Sequence, residues 1–476
     1  MIPDDILLEI FDFYRLNAMK RTSGLPWKWH RLAHVCRRWR LVVSMSPRRL
    51  DLQIHCKSGA SIERILALWE TLPLVIRLTR GRKSKSLPVN VTTALRQPDR
   101  VREISLGLTS ATIGSIVDAI KKPFQILERI RITIRDAKEP TTEPSLPCRK
   151  VFLGGSAPRL RVITLDGINF PFLEIKQVIL STNNLVELCL SRIPKTGYFS
   201  ADALVTALST SAQLKRLEVG FHYPASLPTQ SKTNRPLQRT TFPSLWYLKF
   251  HGASEYLEEF ASRVYVPSLR DIEIGLFHQI FFEIPEFCRS ISPLKPFRSP
   301  TTVGIDLYKR TAVINFKEMN KDGIKYAGCY LTCFCDRLDR QLSFVTQVSS
   351  QLSPLLNVGV LFIIVLRDEM PSGEQGVDST QWLELLQPLT RLRELRVSGV
   401  NQFVRDIGQA LVTEEMAAEV LPELTKVSVW GGRRKPDVIE AIQRFAAARK
   451  VFDSTLHTSA PMRDDVLELP RRLGLW

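Results

Sequence analysis

The chain has 476 residues, 44% of them hydrophobic and 24% charged. Such a balance excludes a disordered or collagen-like polypeptide, and the length allows more than one core. The net charge of +18, from 66 basic and 48 acidic residues, is spread along the chain without an RNA-binding, zinc-finger or homeodomain pattern, so nucleic acid is disfavoured as a partner.

The predicted elements begin at the N-terminus. Pro3 fits the first turn of a helix, where a missing N–H costs nothing, and Asp4 and Asp5 sit where the helix dipole favours negative charge. These residues stand in place of an apolar leader, so no secretory signal is expected. Ile6 with Ile10, and Leu7 with Phe11, are i,i+4 pairs that predict one broad apolar stripe. A second helix is predicted where Leu32, Val35, Cys36 and Trp39 recur at helical spacing, with Arg37, Arg38 and Arg40 on the opposite face. Two short amphipathic helices cannot hide both stripes against each other, so part of that surface must meet the rest of the chain or a partner.

The order Ile-Pro-x-x-Ile-Leu-x-x-Ile-Phe from Ile2, followed by Val35-Cys36-x-x-Trp39, resembles the F-box family. The segment between Phe11 and Val35, with the run Pro26-Trp27-Lys28-Trp29-His30-Arg31-Leu32, is similar to the loop of expanded fungal F-box proteins. The resemblance implies a non-catalytic, substrate-recognition subunit of a Skp–cullin–F-box ubiquitin ligase. Pro3, Ile6, Leu7, Ile10, Phe11, Leu32, Val35, Cys36 and Trp39 would bind the Skp adaptor and, through it, the cullin. The rest of the chain would hold a protein substrate.

Beyond residue 98 one phrase recurs: apolar-x-x-apolar-x-apolar. Its first copy is Val101-Ile104-Leu106, and further copies start at Leu127, Leu160, Leu185, Leu214, Leu245, Leu269, Val358, Leu392 and Leu424. Neighbouring starts lie roughly 24–34 residues apart, close to the period of a leucine-rich repeat. The long gap between Leu269 and Val358 predicts two degenerate copies within 300–345. Helical periodicity falls between copies at 172–180, 201–208 and 255–264. Strand plus helix, repeated, stacks into a curved solenoid with a parallel sheet on its concave face. The predicted fold is therefore α/β: a small helical F-box followed by an irregular leucine-rich-repeat solenoid. A plain doubly wound sheet is the alternative.

Predicted domains are an F-box-like domain at 1–50 and a helical connector at 51–98 with a helix near 61–69. The solenoid follows at 99–436, then a capping helix and tail at 437–476. Polar loops at 137–147, 224–241 and 371–380 interrupt the repeats. The polar positions between core residues of each phrase should line the concave face. Those proposed to meet substrate are Arg129, Arg131, Arg216, Glu218, Tyr247, Lys249, His251, Asp271, Glu273, Arg396 and Trp430. Mixed charge with aromatic anchors suits a protein ligand better than a phosphate backbone.

Other chemistry finds no support in the residue pattern. Gly154-Gly155 lacks the later Gly and Lys of a phosphate loop, and no Gly-x-Ser-x-Gly or His-Glu-x-x-His is present. Cys329, Cys333 and Cys335 read as buried thiols rather than a zinc site, which needs about four ligands. No cofactor or metal is expected. The apolar run at 358–366 is too short to cross a membrane and reads as a buried strand. Eight scattered cysteines fit a reduced compartment, cytoplasm or nucleus, and a basic cluster at 77–85 reads as a solvated loop. The second functional reading is a leucine-rich scaffold whose N-terminal helices serve only as a cap.

Overall fold

A computed structural model describes residues 2–21, 30–47, 49–50, 52–56, 62–78, 89–135, 152–168, 172–222, 239–277, 279–294, 302–320, 323–352, 358–366, 379–398, 420–430 and 453–457. The predicted closing helix at 437–450, most of the basic cluster at 77–85 and the loop at 137–147 lie outside the described residues. So do most of the loops at 224–241 and 371–380. The chain divides into two compact units, Met1–Phe199 and Ser200–Trp476.

The first unit opens with α1 (Asp4–Arg21), α2 (His30–Ala33) and α3 (Arg37–Met45). The second predicted helix is thus broken in two. Cys36 has an extended backbone, φ −156° and ψ 172°, and its sulfur accepts the backbone N–H of Trp39 at 3.4 Å, capping α3. Residues 32, 35, 36 and 39 therefore share no single helical face. Helix α3 is tied to its neighbours by Arg38, which bonds Asp4 at 2.6 and 3.0 Å, and by Arg40, whose Nε donates to the Ala33 carbonyl at 3.0 Å.

Six strands follow: β1 (Ile54–Cys56), β2 (Leu74–Leu78), β3 (Val101–Leu108), β4 (Arg129–Ile134), β5 (Val162–Asp166) and β6 (Glu187–Ile193). They lie side by side in chain order, all parallel. Helices α4 (Glu63–Leu68), α5 (Val89–Leu95), α6 (Ile113–Ala119) and α7 (Phe172–Leu180) occupy the connections. The first two strands carry no full copy of the repeated phrase and fall inside the segment predicted to be only a helical connector.

The second unit begins with α8 (Ala201–Leu208), whose N-cap Ser200 accepts from the Ala203 amide. Strands β7 (Arg216–Phe221), β9 (Tyr247–Gly252) and β11 (Asp271–Phe277) are parallel neighbours, and β8 (Thr240–Thr241) pairs separately with β10 (Val264–Tyr265). Helices α9 (Ser254–Arg263) and α10 (Pro285–Ile291) pack against each other, and α9 also packs on α8.

The long gap in the phrase does not hold two degenerate repeats. It holds β12 (Thr302–Tyr308), β13 (Thr311–Asn320) and β14 (Gly323–Phe334), an antiparallel meander. Their order is reversed: β14 lies parallel beside β11, β13 follows, and β12 lies parallel beside β15 (Val360–Leu366). The two-residue connections force this, because a parallel return needs a crossover of a dozen or more residues. The crossover comes later, as α11 (Leu338–Leu352), which packs on β13 and β12 and also against α12 (Ser379–Leu386). Parallel order then continues through β16 (Glu394–Ser398), β17 (Lys426–Trp430) and β18 (Asp453–His457).

The repeats share one hydrogen-bond signature. The first leucine of a phrase donates its N–H to the carbonyl three residues earlier at Leu160, Leu214, Leu245, Leu269, Leu392 and Leu424. The next two N–H groups then converge on one carbonyl, that of the residue just ahead of the preceding strand: Arg161 and Val162 on Glu128, and Val186 and Glu187 on Arg161. Trp246 and Tyr247 do so on Lys215, Arg270 and Asp271 on Trp246, Arg393 and Glu394 on Gly359, and Thr425 and Lys426 on Arg393. The tight turn drives each first leucine inward, and all of them are buried. Full burial of such a side chain contributes roughly 1.5–3 kcal/mol relative to exposure. The asparagines of a regular repeat have partial substitutes: buried Thr182 donates to the Leu160 carbonyl at 2.8 Å and accepts from the Asn184 amide. The result is a mixed α/β protein with a large, mostly parallel sheet, consistent with a repeat solenoid. Among the described residues no helix is long and apolar enough to cross a membrane.

Candidate protein-interaction surfaces

Helix α1 has two apolar sides rather than one broad stripe. Leu7, Leu8 and Phe11 turn inward and are buried, and Phe11 meets Trp39 edge-on, with ring centroids 4.8 Å apart. Leu32 is buried as well. The opposite side leaves Ile2, Ile6, Ile10, Phe13 and Tyr14 in solvent. Beyond α1, Val35 is 59% exposed, Leu41 57% and Met45 75%. Pro3 and Cys36 are exposed too. The nine residues predicted to bind an adaptor thus divide. Leu7, Phe11, Leu32 and half-buried Trp39 build the helical pair, whereas Pro3, Ile6, Ile10, Val35 and Cys36 remain available. Phe13, Leu41 and Met45 escaped the sequence reading. The signal was a helix apolar on more than one side, with Phe13 three residues beyond Ile10.

On the sheet of the first unit, Arg129 and Arg131 lie on one face of β4 and are exposed, while Ile130 and Ile132 between and beyond them are buried. Arg77 on β2 grips Glu103 on β3 through two 3.1 Å bonds, and Arg192 on β6 bonds Asp166 on β5 at 2.6 Å. Arg192 also donates to the Ile134 carbonyl at 2.7 Å.

The second unit pairs its charges more completely. Strand register places Arg216, Tyr247 and Asp271 in one row, and Glu218, Lys249 and Glu273 in the next. The Arg216 guanidinium lies 3.8 Å from the centre of the Tyr247 ring and bonds Glu218 at 3.3 Å, while Lys249 meets Glu273 at 3.1 Å. Tyr247 is buried, which pushes its phenol well above the ordinary range, and burial also raises the Asp271 carboxyl. The predicted solvent-facing His251 is instead largely enclosed. It hydrogen-bonds the Phe221 carbonyl at 3.2 Å and sits edge-on to Phe277 and Phe334, and this burial lowers it to about 4. The cause is bulk: β11 ends in Phe277 and β14 in Phe334, whose rings close over the imidazole.

Arg396 lies several strands away. It grips Glu394 at 2.8 and 2.9 Å and rests over Phe362 at 4.7 Å. Burial opposes ionisation of Glu394, yet Arg396 and Lys426 hold its carboxyl below the usual value. Trp430 ends β17, paired in register with Ser398, and its side chain lies outside the described residues. Cys329, Cys333 and Cys335 are buried free thiols, with Cys329 well above its ordinary value through burial.

No family model matches the chain, and no curated protein matches it. Among solved structures, it is similar to the leucine-rich repeat-containing protein LegL7 from Legionella pneumophila. That match has 11% identity and a TM-score of 0.25, over 83% of this chain and 98% of the other. A likeness so loose carries no weight here. The repeat architecture rests on the strand registers and the recurring hydrogen bonds described above.

Proposed function

We propose that this chain is an F-box-like, substrate-recognition subunit of a Skp–cullin–F-box ubiquitin ligase. The observation that carries the reading is the exposed apolar set Ile2, Ile6, Ile10 and Phe13, together with Val35, Leu41 and Met45, on and beside the helices whose sequence resembles an F-box. Exposed apolar clusters of this kind mark protein contact sites. The buried Phe11–Trp39 contact and the Arg38–Asp4 pair support α1 and α3 as a preformed platform. The repeats would hold a protein substrate and act by raising its effective concentration beside the conjugating enzyme, with no chemistry of their own.

Co-purification with the host Skp adaptor tests this. The variant Ile6→Asp/Ile10→Asp changes outward residues and should lose the complex while keeping its circular dichroism and melting temperature. If the intact chain captures no adaptor, the ligase reading fails. The second reading, a repeat scaffold capped by its N-terminal helices, then takes its place. Solenoids require capping units, and inward-facing Leu7, Leu8 and Phe11 fit that role equally well.

A further inference from the structure

The two units differ in how their sheet faces treat charge. In the second, each described cation in the candidate rows has a carboxylate: Arg216 has Glu218, Lys249 has Glu273, and Arg396 and Lys426 share Glu394. In the first, Glu103 is engaged by Arg77 and Asp166 by Arg192. Arg129 and Arg131 bond no carboxylate among the described residues, and both are exposed.

A third cation extends the patch. Arg135 follows β4 with the same side-chain parity as Arg129 and Arg131, and it is exposed. Its guanidinium lies over Gly107 of β3, where any Cβ would collide with it. The neighbours on this face are small or polar: Ser105 beside Arg131 on one strand and Thr164 on the other. The opposing charges are Glu103, Asp166 and Glu187, of which the first two are already paired with arginine.

We infer that this face of the first unit binds an extended, acidic segment of a partner protein, its carboxylates meeting Arg129 and Arg131. Those arginines lie two residues apart on one strand, about 6.6 Å, the spacing at which an extended peptide presents every second side chain. Arginine suits the purpose because its planar fork matches a carboxylate bidentately. A nucleic acid fits less well. The described residues on this face of β3 to β6 include no aromatic platform for bases, and Glu103 and Asp166 would oppose a continuous phosphate chain. The inference rests on reading the sheet face as the substrate side, and it is independent of adaptor docking.

The test is fluorescence anisotropy of the full chain with a short labelled peptide alternating glutamate and serine, alongside its glutamine counterpart. The glutamate peptide should bind in a salt-sensitive manner and the glutamine peptide should not. Arg129→Glu/Arg131→Glu should weaken binding by at least about tenfold, whereas Lys121→Glu/Lys122→Glu, an equal charge change outside the patch, should leave it intact. Arg129→Gln/Arg131→Gln, which introduces no repulsion, should weaken it by a smaller factor and guards against misfolding of the reversed variant. Equal weakening by the lysine variant would reduce the effect to bulk charge and overturn the proposal. So would failure of the glutamate peptide to bind, or a single-stranded oligonucleotide that binds more tightly at the same arginines. An intact chain that binds the peptide but captures no adaptor would sink the ligase reading alone, and Ile6→Asp/Ile10→Asp, which leaves this face untouched, should still bind the peptide.

Discussion

Phe11 and Trp39 meet edge to face, their ring planes inclined at 64°, and this contact joins the first helix to the third. Phe11 is wholly buried, whereas Ile10 beside it is 44% exposed. Phe11→Ala is therefore expected to destabilise the first unit by about 3–5 kcal/mol. Ile10→Ala should change stability by no more than about 0.5 kcal/mol. Thermal melts of the two variants check the contrast, and similar losses in both would show that α1 is oriented otherwise.

His251 should make the second unit acid-sensitive. Its imidazole is lowered from 6.5 to about 4, first by burial and then by nearby Lys249 and His222, against the hydrogen bond to Phe221. Below pH 6.5 the unfolded chain takes up this proton and the folded chain does not. The contribution is thus complete above 6.5 and is lost as pH falls toward 4. Denaturant titrations across that window should show His251→Gln with a flatter acid limb than the parent.

Glu258 acts in the opposite sense. Burial raises its carboxyl from 4.5 to about 7, although it accepts the backbone N–H groups of Glu286 and Phe287 at the start of α10. A raised carboxyl favours the folded state most below 4.5, and that advantage disappears as pH rises through 7. Glu258→Gln keeps an acceptor for α10 without the charge. After discounting for solvent screening, it should gain about 1 kcal/mol at neutral pH. A loss of stability instead would mean that the carboxylate's bonds outweigh its desolvation.

Two glutamines of α11 (Leu338–Leu352) bridge the backbone of the segment at 280–284. Gln347 accepts from the Phe282 amide at 2.8 Å and donates to the Ile280 carbonyl at 3.1 Å. Gln351 accepts from the Ile284 amide at 2.7 Å and donates to the Phe282 carbonyl. Gln351→Leu strands two backbone groups and should cost about 1–3 kcal/mol. Hydrogen exchange at Ile284 should accelerate with it, and unchanged protection there would refute the clamp.

The strands that carry the repeated phrase were legible because the tight turn demands an inward leucine and the strand then alternates. The meander was not. On β12 and over residues 311–316 of β13 both faces are buried, so Thr302, Asp306 and Asn315 sit inside where alternation predicts solvent. Asn315 donates to Asp306 at 2.7 Å and leaves no room for a Cβ at Gly304, so an apolar pattern gives way to a polar contact in the interior. At the N-terminus the residue types pointed to a docking helix, but not to which side faces out. That depends on α3 packing against Phe11, and the spacing of Leu32, Val35, Cys36 and Trp39 reads as one helix, whereas Cys36 is extended and caps a new one. Likewise, nothing local marks His251 as enclosed, since Phe334 reaches it from a strand far along the chain.

The reversed order of β12, β13 and β14 sets a constraint on synthesis. A regular solenoid can grow as it leaves the ribosome, each new strand adding to the edge just made. Here β12 emerges after β11 but does not dock on it, and that edge stays open until β14 has been made. The meander must turn twice before it offers β11 a partner, and β12 then waits for β15. Strand-by-strand growth cannot pass this seam: the edge of β11 is unpaired until β14 is made, and the edge of β12 until β15 is made. An open edge is a template for unwanted pairing, so this is where a nascent chain most needs protection from aggregation.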